Sequence, residues 1–353
     1  MSKPAYEDYP DFNEFLDGIN KDIEIDAQFE QNLVYKPSEV LYKVDDLAYE
    51  EALIKYQEDK LEELKQTVFD EFPTPIAYNF YRFERGSDNE NQRRDFLRDT
   101  WESIIFLIYS IVVGEFRCSK LSMDGTDIKM REILSDSLDA KLSIVSKLLK
   151  LAADKGFELS SVNIISLDLI EKLRELNKLR NGFSHTGAMS EEQARKFILA
   201  NQGDVLSVLQ DCKRLSDVKL LRFNRTEGKL SQIRCEVFKG HSMNRTYKVF
   251  YLENENLSKC LKYLHPKNIL INIDDAFFSI SPFFHFRLTD SGHQTKLCCY
   301  KKKKGEASEQ KFIYEVIGDA LEIDLEGNEF ISVIDEIRCL LPDLSGKGGG
   351  KSS

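Results

Sequence analysis

The chain has 353 residues, a hydrophobic share of 42%, seven cysteines and a formal net charge of −11. That length and apolar content predict two domains with real cores. The odd cysteine count, with no CxxC pair, argues against a disulfide framework and for a reducing, cytoplasmic setting, with no leader or membrane association expected.

The charge is unevenly placed. Residues 1–75 hold 20 acidic and 7 basic residues, and the remainder holds 40 acidic and 42 basic. The acidity therefore belongs to the N-terminal segment and does not oppose an anionic partner elsewhere.

In chain order, residues 1–40 combine acidic and aromatic residues with Pro4, Pro10 and Pro37. They predict an extended or partly ordered arm whose aromatics (Tyr6, Tyr9, Phe12, Phe15, Phe29) pack on something. Residues 44–70 read as a long charged helix that ends at Phe72-Pro73-Thr74-Pro75. A loop is expected over 76–90, with Gly86-Ser87-Asp88-Asn89 as its turn. The next helix, about 91–116, opens on Arg93, Arg94 and Arg98. Its stretch Ile104–Val113 is apolar nearly all round. It is too short to span a bilayer, and it should form the centre of a helical bundle.

Residues 127–153 are expected to be helical, in one or two pieces, ending at Gly156. Ser166 starts a further helix closing near His185, and Ser190-Glu-Glu-Gln193 is a capping box for one reaching about Leu215. Beyond Leu215 the pattern changes to short β-branched and aromatic runs at 218–223, 230–238, 246–251, 269–273, 277–288, 296–300 and 311–316. A terminal helix is read at 328–340. Lys301–Lys304 reads as a solvated hairpin tip. His241, His265, His285 and His293 show no ligand spacing, and no metal or other cofactor is expected. The glycine-rich tail lacks the spacing of a phosphate loop and reads as a flexible end.

One stretch carries chemistry: Leu176-Asn-Lys-Leu-Arg180-Asn181-Gly-Phe-Ser184-His185-Thr-Gly187. Leu169, Leu173 and Leu176 make one helical stripe, and Arg180 falls in its middle, where a guanidinium needs a partner or a site. Asn181 and His185, four apart, share a face at its edge. A cation, an amide and an imidazole at this spacing suit in-line attack on a phosphodiester by the neighbouring 2′-hydroxyl. His185 moves the proton, Arg180 offsets charge on the phosphorane and Asn181 positions the histidine or the phosphate. Glu102, with Glu115 as an alternative, is a candidate partner for Arg180, and Ser184 is a second supporting residue. Lys178 and Arg174 are the candidate substrate-binding cations.

The run Arg180-Asn181-x-x-x-His185 resembles the signature of the HEPN superfamily (higher eukaryotes and prokaryotes nucleotide-binding domain) over roughly residues 90–215. The resemblance implies a helical bundle, metal-independent endoribonuclease activity and a homodimer in which two motifs form one site. It further implies an antiviral-defence or toxin setting, with RNA as substrate and a second protein of the system as a possible partner.

The expected fold class is α+β, a HEPN-like helical bundle followed by a smaller β-rich domain. The expected parts are an acidic arm and long helix (1–75), the bundle (76–215), the β-rich domain with its terminal helix (216–341) and the tail (342–353). Two rival functions stand beside ribonuclease: a catalytically silent interaction subunit of a defence complex, and a nucleotide-sensing module.

Overall fold

A computed structural model describes residues 6–7, 9–19, 36–183, 189–227, 232–242, 246–289, 294–305, 311–319, 321–326 and 330–342. The chain divides into two compact units, Met1–Gln66 and Thr67–Ser353. The fold class is α+β, with helices mostly in the N-terminal part and strands in the C-terminal part.

The first unit contains α1 (Pro10–Ile19), α2 (Pro37–Val44) and most of α3 (Asp46–Glu71). Phe12, Leu16 and Tyr49 are its buried centre, and Tyr6, Tyr9, Phe15, Tyr42 and Tyr56 pack around them. Rings meet at 5.8 Å for Phe12–Tyr49 and 5.2 Å for both Phe12–Tyr56 and Tyr42–Tyr49. The Asn13 side chain accepts the Ser38 N–H at 3.0 Å and so ties α1 to α2. The expected extended arm is instead helical over α1 and from Pro37, because Phe12 and Leu16, four apart, give α1 an apolar face for the tyrosines of α2 and α3 to cover. Phe29 lies outside the described residues.

The second unit opens with α4 (Thr74–Arg85), where the sequence predicts a loop. Pro75 stands in the first turn, where its missing N–H has no intrahelical partner to lose, so it starts a helix as readily as it ends one. Ile76, Ala77, Phe80 and Phe83 form the buried side of α4. The turn at Gly86–Asn89 follows, and Asn89 caps α5 (Glu90–Cys118) by accepting the Gln92 N–H. α5 is buried without a break from Ile104 to Arg117. Around it lie α4, α7 (Leu138–Lys155), α8 (Leu167–Phe183) and α9 (Glu191–Asp211); the short α6 (Met130–Ile133) packs on α7. The break inside 127–153 and the left-handed Gly156 after α7 (φ +66°) are both present.

The strands form two antiparallel sheets. One has the order β3-β2-β1-β4-β5, with β1 (Lys219–Glu227), β2 (Gln232–Phe238), β3 (Thr246–Tyr251), β4 (Ile269–Ile273) and β5 (Ala276–Ser279). The other has the order β6-β7-β8-β9, with β6 (Phe284–Leu288), β7 (Thr295–Lys304), β8 (Lys311–Val316) and β9 (Glu322–Glu326). α10 (Glu255–Lys259) lies between β3 and β4, and α11 (Ile331–Arg338) is the terminal helix.

The run expected as one strand, 277–288, is two strands broken around Pro282, which has no N–H for a ladder. Lys301–Lys304 ends β7 where the β7–β8 hairpin turns and is largely exposed, as expected of a hairpin end, while Lys301 also pairs with Glu322 at 2.9 Å and Glu315 at 3.5 Å.

Helices and strands, expected to part at 215/216, lie in this one unit. A Cβ at Gly114 would stand 2.8 Å from the Ser279 carbonyl oxygen, so α5 reaches the end of β5 at backbone contact. One turn on, the buried Arg117 donates to the carbonyls of Ser281 at 2.6 Å and Ser279 at 2.8 Å and lies against the Tyr263 ring. Phe283 and Phe284 pack on Tyr109 and Phe106 of α5. Among the described residues no helix is long and apolar enough to cross a membrane.

Candidate functional site

Leu169, Leu173 and Leu176 of α8 are buried, and the Ser166 hydroxyl caps the helix by accepting the Leu169 N–H at 3.1 Å. The helix runs unbroken through Phe183, so Arg180 and Asn181 belong to its last turn, with Arg180 four residues after Leu176. The side chains of Arg180 and Asn181, and all of Ser184 and His185, lie outside the described residues.

The neighbours of that turn are described. Asn177, buried to 1% exposure, donates from Nδ2 to Asp139 at the start of α7, 2.6 Å away. Arg174 donates to the Ser146 hydroxyl at 2.8 Å and pairs with Glu171 at 2.5 Å. These contacts run α8 antiparallel to α7, and Lys172 to Asp211 at 2.5 Å runs it antiparallel to α9. Where the chain resumes after the motif, the Glu191 carboxylate accepts from the Glu90 N–H at 2.8 Å and from Asn91 Nδ2 at 3.0 Å. The first turns of α5, α7 and α9 and the last turn of α8 thus gather toward one end of the bundle.

Along α5 near that end runs a charged group. The Arg98 guanidinium donates to Asp99 from Nη2 at 2.9 Å and lies 3.5 Å from both Asp95 and Glu102. Burial works against the charge on Arg98, but Asp99, Glu102 and Asp95 outweigh it and hold its pKa up. Burial raises the Asp99 carboxyl in spite of Arg98, with Glu315 and Asp95 adding to the rise. Glu102 is therefore engaged by Arg98. Glu115 is committed elsewhere: its two oxygens accept the N–H groups of Ser160 and Ser161 at 2.7 and 3.0 Å, ahead of α8.

Of the candidate substrate-binding cations, Arg174 is bound within the bundle, while Lys178 is exposed and pairs with the exposed Glu175 at 2.6 Å. Sequence reasoning missed Asn177 and the Arg98 group. An amide directly beside the stripe residue Leu176 was the available signal for the first, and Asp95 and Glu102 at three and four positions from Arg98, with Asp99 next to it, for the second. Among the described residues no three His, Cys, Asp or Glu side chains are grouped to hold a metal ion.

Comparison with known protein families, with curated proteins and with solved structures returned no match for this chain.

Proposed function

We propose that the chain is a HEPN-type endoribonuclease whose helices around α5 are the HEPN-like bundle and whose site is built on Arg180, Asn181 and His185. The observation that carries this reading is the register of α8. Leu169, Leu173 and Leu176 are buried and the backbone of the helix is continuous to Phe183, so Arg180 follows Leu176 by four residues on the same helix. Asn177, one turn earlier, already holds a polar contact in that interior.

In this scheme His185 takes the proton of the 2′-hydroxyl, which attacks the adjacent phosphorus while the 5′-oxygen leaves and is protonated. Arg180 balances the charge on the pentavalent phosphorane. The products are a 2′,3′-cyclic phosphate and a 5′-hydroxyl end, and no metal is called for because the substrate supplies the nucleophile. A second copy of the chain would complete the cleft, and a defence or toxin system is the setting. The test is cleavage of mixed RNA by the purified protein in chelator. His185→Ala is expected to lower the rate at least about a hundredfold, and an unchanged rate removes the assignment.

A second reading, a non-enzymatic interaction subunit, draws on one observation. The acidic first unit exposes Val44, Leu47, Ile54 and Leu61, the last three at seven-residue intervals along α3. It predicts no RNA product from the wild-type chain and loss of complex assembly in Ile54→Glu.

A further inference from the structure

The five-stranded sheet has one closed face and one that opens toward its β3 edge. On the closed face Leu221, Ile233 and Cys235 pack with Leu257, Cys260 and Tyr263, and Phe250 joins them from β3. On the other face Tyr247, Val249 and Tyr251 occupy alternate positions of β3 and are 38%, 38% and 55% exposed. Their partners on β2 are Glu236, Arg234 and Gln232. The Arg234 guanidinium lies over the Tyr247 ring, 4.3 Å from its centre. Inward, Arg222 pairs with Glu236 at 2.9 Å and meets Thr295 of β7 and the Phe286 ring of β6. The second sheet therefore bounds this shelf on its inner side, and the β3 side stays open.

The charge of the stretch that carries these strands and their connections runs against that of the whole chain. Residues 219–251 hold 8 basic and 2 acidic residues, a balance of +6, in a chain of −11. Glu236 and Arg222 neutralise each other. By strand alternation Lys219, Lys239 and Lys248 lie on the closed face, so the cation beside the shelf's rings is Arg234.

We propose that the β2–β3 shelf is a binding site for single-stranded nucleic acid, with bases stacking on Tyr247 and Tyr251 and the Arg234 guanidinium drawing the phosphates. The two rings lie four residues apart on one extended strand, about 13 Å, and both residues are more than a third exposed. A duplex keeps its bases stacked inside and offers nothing to such rings. A peptide added along the β3 edge would be held by backbone groups and would need neither the tyrosine faces nor the positive balance. The site does not require the proposed cleavage chemistry; if that chemistry holds, the shelf is where its RNA is held.

Binding is measured on the full chain carrying His185→Ala, so that cleavage plays no part. The probes are labelled unstructured single-stranded RNA, the same sequence as DNA, and a duplex of equal length, read by fluorescence anisotropy at several salt concentrations. The expected result is single-strand binding that weakens with salt, and a loss of about tenfold or more per ring in Tyr247→Ala and Tyr251→Ala. Tyr251→Phe retains affinity, and Arg234→Ala weakens it. Unreactive buried thiols in each variant establish that the sheet is folded. Equal affinity in the double alanine variant, tighter binding to duplex, or capture of an extended peptide with no nucleic-acid binding overturns the proposal. If the shelf variants lose binding while wild-type RNA products are absent, the shelf stands and the nuclease reading falls.

Discussion

The two compact units differ in charge and in what fills them. Met1–Gln66 holds 18 acidic and 7 basic residues, net −11, whereas Thr67–Ser353 holds 42 of each and is neutral. The first unit has three buried apolar side chains in its centre and a rim of tyrosines. The second is built on α5, whose aliphatic face is buried over four turns and continues onto both sheets. A small aromatic core stabilises its unit weakly, so what the first unit contributes is a surface, acidic and partly apolar. The second unit holds the cores that can position reactive groups.

That contrast can be broken or sharpened by substitution. Arg117→Ala should have the largest effect, costing the second unit about 4 kcal/mol, because two buried carbonyls lose their donor and Tyr263 loses its cation. Urea unfolding followed by the near-ultraviolet signal of Trp101 checks this. Gly114→Leu should cost about 3 kcal/mol, since the new side chain meets the Ser279 carbonyl at a distance neither backbone can relieve. An unshifted midpoint would show that α5 and β5 do not lean on each other.

Phe12→Ala should cost the first unit about 3 kcal/mol and leave the second untouched. Thiol labelling separates the two, because all seven cysteines lie after Gln66. Burial pushes Cys235, Cys260 and Cys298 up to about 12, so below that range they stay protonated and inert, while the exposed Cys339 reacts. Mass spectrometry should find Cys339 labelled first in wild type and in Phe12→Ala, ahead of the half-buried Cys118 and Cys299, and additional labelling of the buried Cys260 in Arg117→Ala. Extra labelling in Phe12→Ala would mean that the units unfold together. The smallest effect belongs to Ile54→Ser, within about 0.5 kcal/mol, as for an exposed side chain with no burial to lose.

Much of the helical part was legible because its signals are local. Asn89, Ser137, Ser166 and Ser190 cap helices through contacts three residues away, and the capping box at Ser190–Gln193 is formed in full. α4 was not legible, because a proline pair reads as a stop whether or not a helix begins after it. Nor was the first unit, whose apolar face is hidden among dense charges. For the candidate site, the helix bearing Arg180 was readable from the leucine spacing. The engagement of Glu102 by Arg98 and of Glu115 by Ser160 and Ser161 was not, since several carboxylates sat at plausible positions.

Spacing along the chain determined where helices start, which side chains share a stripe and where strands replace helices. All of these follow from backbone periodicity and from caps within one turn. Only the packed structure decided that Gly114 must lack a side chain, that Arg117 is buried between carbonyls more than 160 positions away, and that Tyr247 and Tyr251 are exposed on one face of β3 with Arg234 over the first. Those outcomes depend on which distant surfaces meet, and a linear pattern carries no record of its neighbours in space.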